Sequence, residues 1–141
     1  MMLRLSAGLV EEIRRSGERA YPAECCGVLA GHPGGVKEVV KLIAVTNRRT
    51  DDPHRYLIAP DDLRGIEAEL RSQGLEVLGC YHSHPDHPAE PSAFDTEQAW
   101  PWYSYIIVRV DRAGAGELTS WVLNDDRSAM SAESVDVLSE V

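Results

Sequence analysis

The stretch GCYHSHPDHPAEPSAFD, residues 79–95, holds three of the chain's five histidines, with two aspartates and two serines beside them. Residues two apart on a strand project from one face. A strand through VLGCYHSH therefore presents Cys80, His82 and His84 together and turns Tyr81 and Ser83 away. Two imidazoles at a strand end can hold two corners of a tetrahedral zinc site. A catalytic site takes a third protein ligand and leaves the fourth corner to water. Asp95 is placed for that third corner, because Pro85, Pro88 and Pro91 stiffen the loop and a helix starting near Ser92 returns it. His₂Asp is a chemically reasonable set for activating water. SAFD also fits a capping box, in which Ser92 caps the helix and Asp95 reaches back to its first amide. Spacing alone leaves both readings open.

Hydrolysis at zinc also needs a group that takes a proton from water and hands it to the leaving amine. Glu24, in YPAECCGVLAG, lies between a helix and an apolar run, where a carboxylate is costly without a partner or a task. It is either that base or a solvated acid at a helix end. Cys80 reads as a small buried thiol. Cys25 and Cys26 read as packing, since no cysteine-nucleophile arrangement surrounds them. His87, His32 and His54 fall in loops, and Trp100, Trp102 and Trp121 read as core or hairpin packing.

Local patterns supply the elements that must position these residues. Residues 2–5 form a short strand. Ser6 caps a helix with Glu11 and Glu12 near its positive end and Leu9, Ile13 and Gly17 on one face, ending before Pro22. CGVLAG (26–31) is a buried strand, HPGG a turn, and 36–47 the return strand. Residues 47–55 form a polar loop with Arg48, Arg49 and Arg55, and YLIA is a candidate strand. Pro60 opens a helix with a Leu63, Ile66 and Leu70 stripe and Gly74 as its stop. LEVLGCY (75–81) is a strand running into the histidines. A short helix spans Ser92 to Pro101, then 103–111 is a buried strand with a hairpin partner at 117–124. The polar tail carries a last strand at 135–138. Strands and helices without regular alternation predict an α/β domain, a mixed curved sheet packed with helices.

Composition narrows the function classes. At 141 residues the chain fits one domain, residues 1–141. A net charge of −9 argues against nucleic acid, whose phosphates require clustered Lys and Arg. No apolar run approaches the roughly 20 residues that span a bilayer. The first residues lack a signal-peptide core, so a cytoplasmic protein is expected. Three cysteines, two of them adjacent, build no disulfide framework and agree with a reducing compartment.

AECCGVLAG followed by VLGCYHSHPDHPAEPSAFD resembles the JAMM/MPN+ metallopeptidase family. Its pattern is an upstream Glu, then His-Ser/Thr-His-Pro, a Ser eight residues on and an Asp three beyond. Glu24, His82, Ser83, His84, Pro85, Ser92 and Asp95 occupy those positions without departure. The resemblance implies a single MPN-type domain of cytidine-deaminase-like architecture, although the H-x-E and P-C-x-x-C signatures of the zinc deaminases themselves are lacking. It also implies that His82, His84 and Asp95 bind Zn²⁺, that Glu24 is base and then acid, and that Ser92 donates to the oxyanion. Ser83 would shape the loop or bind substrate backbone. The implied reaction cuts the bond after the C-terminal Gly-Gly of a ubiquitin-like or sulfur-carrier protein, for instance releasing cysteine, as in compact prokaryotic members. The loop with Arg48, Arg49 and Arg55 would then be free to contact the carrier. The alternative is a non-catalytic MPN scaffold domain that binds a ubiquitin-like partner.

Overall fold

Leu3 and Leu5 alternate with half-buried neighbours and make β1 (Met2–Ser6). Ser6 then starts α1 (Ala7–Ala20), its Oγ accepting from the Leu9 amide at 3.2 Å. The computed structural model describes residues 2–47 and 58–139, so Arg48, Arg49, His54, Arg55 and the first two residues of YLIA lie outside the described residues. Val10, Ile13 and Gly17 form the buried face of α1. Glu11 and Glu12 fall past the first turn rather than at its positive end. Glu11 instead pairs with Arg14 and Arg15 at 3.5 and 3.9 Å.

The remaining elements are β2 (Cys26–His32), β3 (Val36–Val45), α2 (Pro60–Ser72), β4 (Glu76–Pro85) and α3 (Ala93–Gln98), then β5 (Ser104–Asp111), β6 (Gly114–Leu123) and β7 (Met130–Leu138). His32 is therefore the last residue of a strand, not a loop residue. The α2 stripe is shallower than expected: Leu70 is fully buried, while Leu63 and Ile66 are half-buried. The helix at Ser92 ends at Gln98, short of Pro101, and β7 begins five residues before its expected start.

The strands form one mixed sheet in the order β1-β3-β2-β4-β5-β6-β7, closed because β1 pairs in parallel with both β3 and β7. β4 and β5 are also parallel, and the other pairs are antiparallel. The sheet wraps around α1, which touches β1, β3, β4, β5, β6 and β7. Leu3, Leu5, Ile13, Leu29, Leu78, Tyr81, Ile106 and Val108 build the main core on that side. The other face carries two smaller clusters. One joins α2 to the sheet through Leu70, Val28, Ala30 and Val77, and one gathers Cys80, Ala99, Tyr105 and Leu123.

β4 decides which way the histidines point. Its pairing with β2 slips where Leu29 faces Gly79 and Ala30 faces Val77, leaving Leu78 as the extra residue of a bulge. Leu78 and Tyr81 consequently both enter the α1-side core, although they are three positions apart and would alternate in a regular strand. From Cys80 onward the alternation is regular, and Cys80 packs on the opposite face with Ala99 and Tyr105.

Candidate metal centre

His82 and His84 leave β4 on the face opposite α1, and α3 brings Asp95 to meet them. The two Nε2 atoms stand 3.1 Å apart. Asp95 Oδ2 lies 3.0 Å from His84 Nε2, and Oδ1 lies 3.3 Å from His82 Nε2. Tetrahedral zinc with bonds of about 2.0–2.1 Å has ligand edges of roughly 3.3–3.4 Å. The three side chains are thus spaced almost as a face of that tetrahedron, and all three are buried. The donor set therefore fits a metal ion.

Hydrogen bonding prepares the ligands. His84 Nδ1 lies 2.9 Å from the Pro88 carbonyl, which can only accept. The neutral ring thus keeps its proton on Nδ1 and turns the Nε2 lone pair to the centre. Pro88 had been read only as a stiffener; a backbone acceptor in the loop leaves no mark on the identity of its residue. Asp95 Oδ2 accepts from the Ser92 amide at 2.9 Å, while Ser92 Oγ accepts from the Asp95 amide at 3.0 Å. The capping box and the ligand cluster use the same carboxylate. The capping reading is realised, and the same carboxylate also stands against both imidazoles, where it could ligate.

Charge follows burial and contact. Burial pushes the His82 imidazole down, outweighing the neighbouring Asp95 carboxylate. Burial also acts on His84, but its contacts with Asp95 and the Pro88 carbonyl prevail and leave it raised. Burial alone would raise Asp95; the two rings and the Ser92 amide instead hold it well below the usual carboxylate range. Neutral imidazole and ionised carboxylate are the forms that ligate a cation.

Glu24 is buried just before β2. β2 sets Cys26 opposite His82, and the Ser83 amide donates to the Cys25 carbonyl at 3.2 Å. Glu24 thus stands two residues before β2, in a segment that the Cys25–Ser83 contact fastens beside β4. Ser83 does not face the centre. It is fully buried against Gly17 of α1, and its Oγ accepts from the Cys25 amide at 2.9 Å. Of the two expected uses, the contact agrees with shaping the loop: Ser83 fastens the segment carrying Cys25 to β4. Ser92 is exposed at the mouth of the site. Its capping bond uses an oxygen lone pair, so its hydroxyl proton remains available to donate.

The other singled-out residues take structural places. Burial pushes the Cys26 and Cys80 thiols up to about 12, and Cys25 is raised as well, so none offers a thiolate at neutral pH. Trp100 and Trp102 are not core residues, being 62% and 42% exposed. Their stretch, between α3 and β5, reaches the surface, and Pro101 between them denies it a ladder. Trp121 is half-buried on β6, its Nε1 donating to Thr119 Oγ1 at 2.8 Å.

Comparison with known proteins agrees with this architecture. Residues 6–124 match the family described as prokaryotic homologs of the JAB domain. A desampylase of Haloferax volcanii is 38% identical over 91 residues, which are 64% of this chain and 65% of that protein. The CysO-cysteine peptidase of Mycobacterium tuberculosis is 30% identical over 140 residues, covering 99% of this chain and 93% of that one. A JAB1/MPN domain protein from Archaeoglobus fulgidus superposes with a TM-score of 0.61 at 20% identity, covering 97% of this chain and 98% of its own. With the match running from the cap of α1 through β6, the chain belongs to the prokaryotic JAB-domain branch of the JAMM/MPN family.

Proposed function

We propose that this protein is a zinc-dependent hydrolase that cuts the peptide or isopeptide bond after the C-terminal Gly-Gly of a ubiquitin-like or sulfur-carrier protein. The observation that carries the proposal is the convergence of His82, His84 and Asp95 at mutual spacings of 3.0–3.3 Å. Relatives named as a desampylase and as a CysO-cysteine peptidase support the substrate class. When bound, zinc supplies Lewis acidity, making water nucleophilic near neutral pH and polarising the scissile carbonyl.

The chain's own residues do the rest. His82, His84 and Asp95 hold the ion, their geometry set by the Pro88 carbonyl and the capping box. Glu24 takes the proton of the attacking water and returns it to the amine as the C–N bond breaks. Ser92 donates its hydroxyl proton to the carbonyl oxygen as negative charge gathers there. A diglycine tail suits the site, because an extended strand without side chains can enter a narrow cleft.

A non-catalytic scaffold is the competing reading. It is disfavoured because the relatives matched are named as a desampylase and a CysO-cysteine peptidase, and because Glu24 is buried rather than solvated. The discriminating experiment measures bound zinc and cleavage of a Gly-Gly-extended ubiquitin-like carrier by wild type and Glu24→Gln. The expected outcome is stoichiometric zinc in both and a loss of about 10²–10⁴ in kcat for the variant. A wild type without zinc, or a variant that cleaves equally well, would refute the mechanism.

A further inference from the structure

An open groove of about 510 Å³ begins at Ser92 and runs past Ala93, Thr96 and Glu97 of α3 to Arg127 on the β6–β7 connection and Met130 at the start of β7. Ser92 forms one end of it, so the groove opens directly from the mouth of the metal centre. Its far wall is a fixed turn. The Arg127 amide donates to the Asn124 carbonyl at 2.9 Å, and the Asn124 amide donates to the Ala129 carbonyl at 2.9 Å. Asp126 Oδ1 accepts from the Ser128 amide at 3.0 Å and from its hydroxyl at 2.7 Å. Arg127 sits at the apex with φ of 62°, a conformation that non-glycine residues adopt only where the surroundings impose it.

The charge on this wall is uncommitted. Among the described arginines, Arg4, Arg14, Arg15, Arg64 and Arg109 each pair with a carboxylate, whereas Arg19, Arg71, Arg112 and Arg127 do not; of these four only Arg127 lines the groove beside Ser92. Arg127 has no ion-pair partner among the described residues. Of the acids beside it, Asp126 is engaged with Ser128, and neither it nor Asp125 reaches the guanidinium. In a chain of net charge −9, an unpaired guanidinium facing a groove that opens from the active centre is a place for an anion.

We infer that Arg127 recognises the α-carboxylate of the residue released from the carrier, so that adducts ending in a free amino acid are preferred over isopeptide-linked lysine. The inference rests on the hydrolase reading above. In an amino-acid adduct the α-carboxylate lies two bonds beyond the scissile nitrogen, within the span of a groove that starts at Ser92. A guanidinium fork matches a carboxylate in two parallel hydrogen bonds. The aliphatic stem of an isopeptide lysine offers nothing for it to hold. Glu97, on the α3 wall, suits the other charge of the product, the ammonium created when the amide is cut.

The test uses a ubiquitin-fold protein ending in Gly-Gly and extended by one cysteine, with the terminal carboxylate either free or as a primary amide. Wild type is expected to favour the free carboxylate by at least about tenfold in kcat/KM, through KM. Arg127→Asn, chosen because asparagine tolerates the left-handed backbone, should bring that ratio close to one, and Arg127→Lys should retain part of it. Binding of the two forms to Glu24→Gln protein, with and without Arg127→Asn, should show the same ratios without turnover. A wild-type ratio near one, or a preference that survives Arg127→Asn, overturns the inference. Absence of cleavage with a carboxylate preference that binding shows to depend on Arg127 would overturn the hydrolase reading alone. Absence of both would overturn the two together.

Discussion

Asp95 serves two structures with one carboxylate. As the third residue of α3 it completes a capping box with Ser92, and as a buried acid it faces both imidazoles. The cap costs the site nothing, since a carboxylate has lone pairs enough for an amide and a cation. It also restricts the side chain before any ion arrives. The neighbouring histidines give the site a pH response. Zinc binding requires the neutral His84 ring, and His84 is raised above its ordinary value. As pH falls, His84 takes up a proton that the ion must displace, starting above the pH at which a free histidine would. Affinity for zinc, read by chelator competition, should therefore decline as pH falls through a His84 transition lying above the ordinary histidine range. Its slope should approach one decade per pH unit once His84 is protonated. A flat profile across that transition would show that His84 does not ligate.

At the level of elements, β4 is both the central strand of the site and the one that carries its irregularity. The bulge at Leu78 lets Tyr81 join the core around α1 while Cys80 and the histidines take the other face. It depends on Gly79, where φ is 156° and an added Cβ would stand 1.8 Å from the Ser104 carbonyl oxygen. Both atoms of that clash belong to paired backbone, so neither yields without breaking the β4–β5 ladder. Gly79→Ala should destabilise the protein by about 2–4 kcal/mol in denaturant unfolding. It should also weaken zinc binding, although residue 79 touches no ligand. An alanine variant of unchanged stability would mean that the ladder accommodates the methyl group.

Across the whole molecule, the metal would tie together parts that the sheet leaves separate. Closure through β1 joins the two ends of the chain, while α3, six residues long, is held by its cap and by Ala99 against the sheet. An ion shared by β4 and α3 anchors that helix and, by mass action, stabilises the folded state. At free zinc of about a hundred times Kd the gain is about 2.7 kcal/mol. Chelation should lower the thermal midpoint by several degrees and abolish cleavage, with both restored by zinc. His84→Ala should show a midpoint insensitive to either treatment. Among the described residues no helix is long and apolar enough to cross a membrane, so none of this stability is owed to a spanning helix.

Sequence alone determined most of what is local. The cap at Ser6, the strand from 26, the strand that enters the histidines and the helix at Ser92 all follow from short-range pattern, and they appear where that pattern puts them. The ligand triad was legible too, because two ligands are two residues apart and the third begins the next helix. What needed the tertiary structure is whatever pairing and burial decide across long separations. β7 reads as a polar tail because the residue it buries is Glu133, whose Oε1 accepts from the Ser120 hydroxyl at 2.8 Å, and no hydrophobic period marks it. Trp100 and Trp102 read as core because size argues for burial, yet the connection they occupy runs over the surface. Ser83 turns away from the histidines as alternation predicts, but only the fold shows that it lies against α1 and holds the Cys25 amide. Whether SAFD was a cap or a ligand could not be decided from spacing, because both uses require the same residues at the same positions. Only the approach of β4 shows that the capping carboxylate also lies against both imidazoles.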